Sequence, residues 1–305
     1  MPDLLPSGAF TFREAADAGV TVGRLRHHSL DTPSRGIRQA FHPRLFERES
    51  IVRPLTLVTG FSAASHATAF TLWSFPGFLP GKDDPITHIS RPDTKAIPRR
   101  SGVRGHRGQF FADEVVTHNG LLITSRVRTW LDCSRKMSIE ELTVVADHLL
   151  RIPRPDFEGR SEPHATREDL EEMLDRHKGT PGIRKARVAV DRSRVGADSA
   201  QETRLRLALE DAALPEPLLN TVRELGSGVV RQPDLSYPEQ KVAVEYDGEG
   251  HSEAAQIVRD IAREEDFARA GWLLVRISKR HMENEARPAV AKVRSALRNR
   301  GWSPN

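Results

Sequence analysis

The chain has 305 residues, which is enough for two domains or three at roughly 100–200 residues per domain. Its 46 Lys and Arg residues nearly balance 42 Asp and Glu residues, and 38% of the residues are hydrophobic. This composition excludes a fully disordered chain, and no apolar run approaches the ~20 residues that cross a bilayer. A single cysteine excludes an intramolecular disulfide and a multi-cysteine zinc site. Because no secretory signal is visible, we expect a soluble cytoplasmic protein without a membrane partner.

The distribution of basic residues is more informative than the formal net charge of +4. Arginine greatly outnumbers lysine, either because arginine recognises phosphate in a bidentate manner or because a GC-rich genome favours its codons. Residues 276–305 carry an excess of basic side chains, and a second basic run lies within residues 99–107. Each run either faces phosphates or forms solvated surface.

The first fifty residues are typical of small helices separated by turns. Thr11 and Glu14 have the spacing of a capping box, which predicts a helix over 12–18, and a second helix follows over 22–28. A short helix, a glycine turn and a basic helix form the outline of a helix-turn-helix, and residues 35–41 would supply its hairpin wing. We therefore predict a winged helix-turn-helix over residues 1–50.

The second helix of this predicted module is basic, since it carries Arg24 and Arg26 together with histidines. In a helix-turn-helix, such side chains contact DNA. The alternative is that they only decorate an exposed helix, and the sequence leaves both readings open.

Residues 51–150 predict a mixed α/β middle region. The predicted elements are a helix over 65–73, strands over 86–89 and 120–124, and an amphipathic helix over 138–150. A stretch rich in Pro, Gly and charge follows at 152–165, so we assign residues 151–198 to a linker with additional helices.

Residues 199–300 have the clearest pattern: a helix, a three-stranded meander, a helix, a strand and a closing helix. The predicted helices cover 199–213, 253–270 and 287–299, and the predicted strands cover 221–225, 229–235, 241–246 and 273–277. This order predicts an α/β domain with a mixed sheet flanked by helices.

Acidic residues gather where two of these strands end. Glu245 and Asp247 alternate with apolar residues, so the two carboxylates share one face of their strand, roughly 7 Å apart. A short hairpin would bring Asp234, which follows Pro233, beside Glu245. Carboxylates this close repel each other unless a cation lies among them, and a site of oxygen ligands alone favours Mg²⁺ or Mn²⁺. We therefore predict a metal site at Asp234 and Glu245.

Two further residues could complete this site. Glu202 is either an auxiliary acid or the acidic member of a capping box that begins at Ser199, and one residue could serve both roles. His251 lies four residues beyond Asp247 and could act as a general base or acid, because imidazole titrates near neutral pH.

Basic residues follow the acidic ones along the chain. Arg263 and Arg276 are candidate contacts to DNA phosphates. Alternatively, Asp260 and Arg263 form an ion pair on the surface of their helix, as residues three apart commonly do.

The acidic pattern carries a resemblance. Pro233-Asp234, followed after ten residues by Glu245-Tyr246-Asp247, resembles the motif of the PD-(D/E)XK, or restriction-endonuclease-like, nuclease superfamily. A wider set of residues resembles its very-short-patch-repair-like (Vsr-like) branch, as in actinobacterial endonuclease-domain proteins of unknown function. The residues of this wider set are 201–206, 233–235, 244–248, His251, 259–263 and 271–276.

This resemblance implies a restriction-endonuclease-like fold over residues 199–300 and Mg²⁺-dependent hydrolysis of phosphodiester bonds in DNA. It assigns the metal to Asp234 and Glu245, an auxiliary acid to Glu202 and a catalytic imidazole to His251. Asp247 occupies the place of the superfamily's usual lysine, as it does in this branch. An isolated nuclease domain makes one cut, so cleavage of both strands would require a homodimer, and no motif decides the oligomeric state.

The N-terminal 150 residues resemble the winged-helix antitoxins of abortive-infection systems. The supporting segments are 13–19, 65–69 and 124–132. This resemblance implies a DNA-binding module that positions the nuclease. The alternative function is a non-catalytic transcriptional regulator or antitoxin-like protein whose nuclease domain is degenerate.

Overall fold

The structure is a computed structural model that describes Leu5 and residues 8–40, 48–154, 158–226, 228–247 and 254–304. The chain divides into two compact units. Met1–Ser138 and Asp169–Ala186 form the N-terminal unit, and Ile139–Glu168 and Arg187–Asn305 form the C-terminal unit. In the described ranges, no helix has both the length and the apolar character needed to cross a membrane.

The N-terminal unit begins with two short helices and a three-stranded antiparallel sheet of order β1-β3-β2. These elements are β1 (Ala9–Thr11), α1 (Phe12–Asp17), α2 (Val22–Leu25), β2 (Leu30–Asp31) and β3 (Ile37–Ala40). The predicted capping box is present, since Thr11 Oγ1 accepts from the Glu14 N–H at 3.1 Å and Glu14 Oε2 accepts from the Thr11 N–H at 2.9 Å. A small apolar core forms beneath the helices from Phe10, Ala15, Leu25 and Leu30.

Helix α2 is shorter than the sequence predicts. It ends at Leu25 rather than at residue 28, because Leu25 and Leu30 are both buried in one core and the chain must turn to bring the second leucine inward. Within this turn, the Ser29 N–H donates to His27 Nδ1 at 3.2 Å. The exposed Arg26 therefore caps the C-terminus of a single helical turn instead of lying within a longer helix.

The rest of the N-terminal unit contains a five-stranded mixed sheet of order β6-β5-β4-β8-β7. Its elements are α3 (Arg48–Val58), β4 (Ala63–Ala64), α4 (His66–Leu72), β5 (Thr87–Pro92), β6 (Val103–Gly108), β7 (Val115–His118), β8 (Leu121–Thr124) and α5 (Arg126–Cys133). Strands β5 and β6 are parallel, as are β4 and β8. A mixed α/β middle region is thereby confirmed. At Gly105 on β6, an added Cβ would lie 2.2 Å from the Pro98 carbonyl oxygen, so glycine is needed for this close crossing.

The C-terminal unit contains a four-stranded mixed sheet of order β14-β13-β12-β9 and a separate two-stranded ribbon. Its strands are β9 (Leu218–Leu219), β10 (Arg223–Glu224), β11 (Val230–Arg231), β12 (Leu235–Tyr237), β13 (Val242–Asp247) and β14 (Leu273–Ser278). The helices after α5 are α6 (Ile139–Leu150), α7 (Arg167–Arg176), α8 (Ile183–Arg192), α9 (Ala200–Asp211), α10 (Ala254–Arg269) and α11 (Arg287–Asn299). Of these, most of α7 and the start of α8 belong to the N-terminal unit.

Helices flank both faces of this sheet. Apolar residues of α9 and α11 pack with Val242 and Val244 in one core cluster. Helix α10 connects β13 to the parallel strand β14 and lies on the opposite face, where Arg263 reaches Glu245. The prediction of a mixed sheet flanked by helices is confirmed at this level of detail.

The predicted meander is wrong in its first two strands. Segments 221–225 and 229–235 contribute to the small β10–β11 ribbon, which turns at Gly226. The four-stranded sheet instead uses Leu218–Leu219 and Leu235–Tyr237. Pro233 separates the ribbon from the sheet, because proline lacks the N–H that a sheet interior requires.

Helix α6 belongs to the C-terminal unit, although the sequence assigns it to the middle region. On α9, the buried Arg206 makes an ion pair of 2.9 Å with Asp147 on α6, and Thr203 donates a hydrogen bond of 3.0 Å to the same carboxylate. Arg204 on α9 makes two further hydrogen bonds of 2.9 Å to Glu141. These polar contacts place 139–150 against the predicted nuclease domain, so the compact units cut across the predicted boundaries at 150 and 198.

Candidate functional site

The register of β12 and β13 brings the predicted metal ligands together. Leu235 pairs with Val244 in this antiparallel ladder, so Asp234 lies one step beyond, opposite Glu245. Asp234 Oδ2 accepts a hydrogen bond of 2.7 Å from the Tyr246 N–H. The hairpin thus holds the Asp234 carboxylate against the strand that carries Glu245.

Glu202 reaches the same neighbourhood from the first turn of α9. Its Oε2 accepts hydrogen bonds from the Asp198 N–H at 2.9 Å and from Asn220 Nδ2 at 2.8 Å. Ser199 caps the helix by accepting from the Glu202 N–H at 3.2 Å, but the return bond of the predicted capping box goes to Asp198 rather than to Ser199. Glu202 therefore stabilises the start of α9 and also adds negative charge beside Asp234.

The pKa of Asp234 is raised by burial and also because two other carboxylates lie near it. Burial raises the pKa of Asp234 to about 7, and the negative charges of Glu202 and Glu245 act in the same direction. The Tyr246 N–H and the Arg263 guanidinium act in the opposite direction. Near neutral pH Asp234 is therefore partly protonated, and a bound cation would displace this proton.

Arg263 lies within the acid cluster, the group formed by Asp234, Glu245 and Glu202. From α10, its guanidinium makes an ion pair with Glu245 and donates to the Gln232 carbonyl at 2.8 Å. This places a positive charge beside a predicted metal ligand, so a metal ion at Glu245 would compete with Arg263.

Arg276 lies next to this ion pair, in parallel register with Glu245. Its Nη2 donates to the Asp260 carbonyl at 3.0 Å, and its Nη1 lies 3.7 Å from Asp260 Oδ2. Arg263 thus pairs with Glu245, and Arg276 pairs with Asp260. Arg263 and Arg276, the two predicted DNA contacts of this domain, therefore make hydrogen bonds and ion pairs within the protein, next to the acid cluster.

The remaining predicted residues lie apart from Asp234, Glu245 and Glu202 or beyond the described ranges. Asp247 is the exposed last residue of β13, in register with Ser278. His251 lies outside the described residues. In the N-terminal unit, Arg24 Nη1 donates to Ser29 Oγ at 2.8 Å, and Arg26 is exposed.

The donor set of the acid cluster fits a hard divalent cation. Asp234 and Glu245 supply only oxygen atoms, and Mg²⁺ is commonly held by one or two carboxylates together with water and phosphate oxygens. Among the described residues, the three carboxylates do not converge as ligands of one ion; only three histidines bring their ligand atoms within 4.8 Å of one another. Glu202 therefore fits an electrostatic role rather than direct ligation.

Those three histidines, His66, His88 and His106, lie in the N-terminal unit and were not predicted as ligands. Each comes from a different element of the five-stranded sheet region. Their spacing along the chain matches no local ligand motif, so only the sheet topology reveals the group.

Comparison with known proteins identifies distant relatives of undescribed activity. Two uncharacterized proteins of Mycobacterium tuberculosis, from strains CDC 1551 / Oshkosh and ATCC 25618 / H37Rv, are each 26% identical to this chain over 176 residues. The similarity covers 57% of this chain and 61% of each relative. No family model matches the chain, and no solved structure matches it significantly.

Proposed function

We propose that the C-terminal unit is a Mg²⁺-dependent DNA endonuclease that hydrolyses phosphodiester bonds and accepts Mn²⁺ in place of Mg²⁺. The observation that carries the proposal is the β12–β13 register, which sets Asp234 opposite Glu245 beside the buried Glu202. A mixed sheet with helices on both faces and a β13–α10–β14 crossover agrees with the restriction-endonuclease-like resemblance. The activity, the substrate and the partners of the chain are all part of this proposal.

In this proposal each residue of the cluster has a distinct task. Asp234 and Glu245 would hold the ion, and the Tyr246 N–H fixes the orientation of the Asp234 carboxylate. Bound Mg²⁺ would supply charge stabilisation for the phosphodiester and lower the pKa of an attacking water. Arg263, once displaced from Glu245, would pair with the negatively charged phosphate, and Glu202 would keep the site negative.

The proposal is tested by plasmid nicking with Mg²⁺ or Mn²⁺, using wild type, Asp234→Ala and Glu245→Ala. We expect wild type to nick the plasmid and both variants to be inactive, because each lacks one metal ligand. A matched control is Glu239→Ala, which removes an exposed carboxylate from the turn between the same two strands and should cut at the wild-type rate. Thermal unfolding of each variant shows whether it is folded.

Two results would contradict the nuclease proposal: a wild-type protein that cuts no DNA with either metal, or variants that cut as fast as wild type. The ratio of nicked to linear product reports whether one strand or both are cut, and hence whether a homodimer acts. His251→Ala tests the predicted general base or acid in the same assay.

We propose further that the N-terminal module, a winged helix-turn-helix formed by β1, α1, α2, β2 and β3, positions the nuclease on DNA. The exposed Arg26 and the neighbouring Arg24 support this role. Replacing either with Ala should weaken DNA binding and lower the slope of log K against log [salt] by about one for each phosphate that the variant no longer neutralises. Lys95→Ala, an exposed lysine of the same unit, is the control and should leave the slope unchanged. Equal slopes for all three variants and wild type would contradict this role.

A specific observation favours a second function. The Arg263–Glu245 ion pair already neutralises one acid of the site without a metal, as expected of a degenerate nuclease domain in an antitoxin-like regulator. Salt-sensitive DNA binding by a wild-type chain that never nicks DNA would favour this second function over the first.

A further inference from the structure

Three imidazole rings form a compact group in the N-terminal unit, the histidine cluster of His66, His88 and His106. One ring nitrogen of each lies within 4.8 Å of those of the other two. His106 Nε2 lies 3.0 Å from His88 Nδ1, and the rings of His66 and His106 stack with centroids 3.7 Å apart. The cluster is separate from the acid site, which belongs to the C-terminal unit.

The sheet topology builds this group from strands β5 and β6 and from the start of the helix that follows β4. His66 begins α4 directly after β4, His88 lies on β5, and His106 lies on β6. Because Ser90 pairs with His106 in the parallel β5–β6 ladder, His88 and His106 share one face and are diagonal neighbours. His66 has a left-handed backbone with φ of 50°, which is uncommon for a non-glycine residue and typical of functional positions.

The distances suit ligation of a transition metal. Zinc–nitrogen bonds of about 2.0–2.1 Å in tetrahedral geometry place ligand nitrogens roughly 3.3 Å apart. The 3.0 Å pair is already close to this separation, and the third nitrogen needs a shift of at most about 1.5 Å. Because a metal ion lies in the plane of each imidazole that binds it, the stacked rings of His66 and His106 would also rotate about their side-chain torsions, and the ion would replace the His88–His106 hydrogen bond.

Burial favours the neutral form of the three rings, which is the form that binds a metal ion. Burial lowers the pKa of His66 to about 4 and the pKa values of His88 and His106 to about 3. The positive charges of Arg104, Arg128 and Lys136 add to this effect. These cations disfavour a metal ion, so a compensating anion is needed nearby.

Asp132 on α5 supplies that negative charge. Its side chain is only 5% exposed, and Oδ1 accepts from Arg128 Nε at 2.9 Å. Its Oδ2 is buried and accepts no hydrogen bond from the described residues, which is costly for a carboxylate oxygen. Asp132 acts on His106 through its charge, so it would offset the positive charge of a metal ion held by the imidazoles.

The cluster opens into a cavity of about 570 Å³ that reaches His66, His106 and Asp132. Arg107, Arg135 and Lys178 also line this cavity. A metal held by three imidazoles would therefore keep one coordination position facing a basic, accessible space, where water or an anion could bind.

We propose that His66, His88 and His106 bind one transition-metal cation of the Zn²⁺ class, with Asp132 as the outer-shell carboxylate and the fourth position open to the cavity. Imidazole ligands favour Zn²⁺, Ni²⁺ and Cu²⁺ over Mg²⁺. The site is independent of the proposed nuclease activity. The alternative is a hydrogen-bonded histidine core that binds no metal.

The test uses the untagged full chain with Zn²⁺ or Co²⁺ in the presence of excess Mg²⁺, which occupies oxygen sites. We expect one Zn²⁺ per chain by calorimetry, a rise in Tm with Zn²⁺, and visible absorption on Co²⁺ binding. His106→Gln should weaken Zn²⁺ binding at least 10-fold. His66→Asn should do the same and still fold, since Asn tolerates a left-handed backbone. Asp132→Asn should weaken binding by about 10–100-fold.

Two controls separate this site from others. His28→Gln removes an exposed histidine of the same unit and should bind Zn²⁺ like wild type, as should Glu239→Gln, which removes an exposed carboxylate of the C-terminal unit. A wild-type chain without Zn²⁺ binding overturns the proposal, and so does a folded His66→Asn variant with undiminished binding. In either case the histidine core without metal is the correct description.

Discussion

The histidine cluster of the N-terminal unit and the acid cluster of the C-terminal unit are both built on adjacent strands of a mixed sheet, and burial affects them oppositely. In the first, burial lowers the pKa values of three imidazoles, so the ligands are neutral at pH 7. In the second, burial and neighbouring carboxylates raise the pKa of Asp234 to about 7. Burial favours the uncharged form in both units.

This difference determines what competes with a metal in each unit. In the histidine cluster, the neutral imidazoles can bind a metal ion without losing a proton, and the nearby Arg and Lys side chains repel the ion. In the acid cluster, a proton on Asp234 and the Arg263 guanidinium on Glu245 must both give way. The histidine cluster should therefore bind metal with little proton release, and the acid cluster should bind with more.

The largest expected effect concerns the buried arginines of the two units. Arg128 pairs with Glu114 and Asp132, whereas Arg206 pairs with the buried Asp147. Replacing either arginine with Met should cost about 3–5 kcal/mol of unfolding free energy, because buried carboxylates lose their partner. Denaturant unfolding should show the greater loss of unfolding free energy for Arg128→Met, because this change leaves two buried carboxylates without their partner.

The control for this comparison is Arg13→Met, an exposed residue of α1, which should stay within about 0.5 kcal/mol of wild type. A smaller loss for Arg128→Met than for Arg206→Met would break the comparison. It would mean that the 2.6 Å contact of His177 Nε2 with Glu114 is enough to stabilise this carboxylate without Arg128.

The second effect is the pH dependence of the acid cluster, measured in EDTA. The folded pKa of Asp234 lies above its unfolded value, so the wild type loses stability as pH rises from about 4 through about 7. Asp234→Asn should be more stable than wild type at pH 8 by up to roughly 4 kcal/mol, since one pKa unit is ~1.4 kcal/mol. The gain should vanish near pH 4, and Glu239→Gln should show no gain. An Asp234→Asn variant less stable than wild type at pH 8 would show that repulsion does not dominate this cluster.

The third effect has the opposite sign and belongs to the histidine cluster. The pKa of His88 is lowered to about 3, so its stabilising contribution is complete above pH 6.5 and declines as pH falls. In EDTA, this contribution should decrease by about 2 kcal/mol between pH 7 and pH 5. His88→Gln should reduce the slope of this part of the stability curve by this amount while His66 and His106 continue to contribute, whereas His28→Gln should leave it unchanged. A curve of unaltered slope in His88→Gln would remove His88 from this comparison.

The smallest effect concerns Arg263. If it competes with a metal for Glu245, Arg263→Gln should lower the Mg²⁺ concentration for half-maximal thermal stabilisation, by less than about 10-fold. Arg269→Gln, on the same helix and exposed, is the control. A Mg²⁺ requirement that stays the same, or rises, in Arg263→Gln would show that the ion pair does not compete with the metal.

Local patterns predict the elements with strong apolar periodicity and clear end signals. Helix α11 has the predicted bounds, and the Thr11–Glu14 capping box is present, because both depend on residues close together in sequence. The pairing of Asp234 with Glu245 follows from a short hairpin. Prediction was wrong for the first strands of the meander and the length of α2, where burial of Leu30 and the position of Pro233 override local propensity.

The sequence by itself determined the mixed α/β class, most helices of the C-terminal unit and the carboxylates that share one strand face, because these follow from short-range periodicity. Only the tertiary structure decided that α6 belongs with α9, that Arg263 pairs with Glu245, and that three distant histidines meet. Such contacts depend on strand order and helix packing, and the charge of a buried group depends on its neighbours in space.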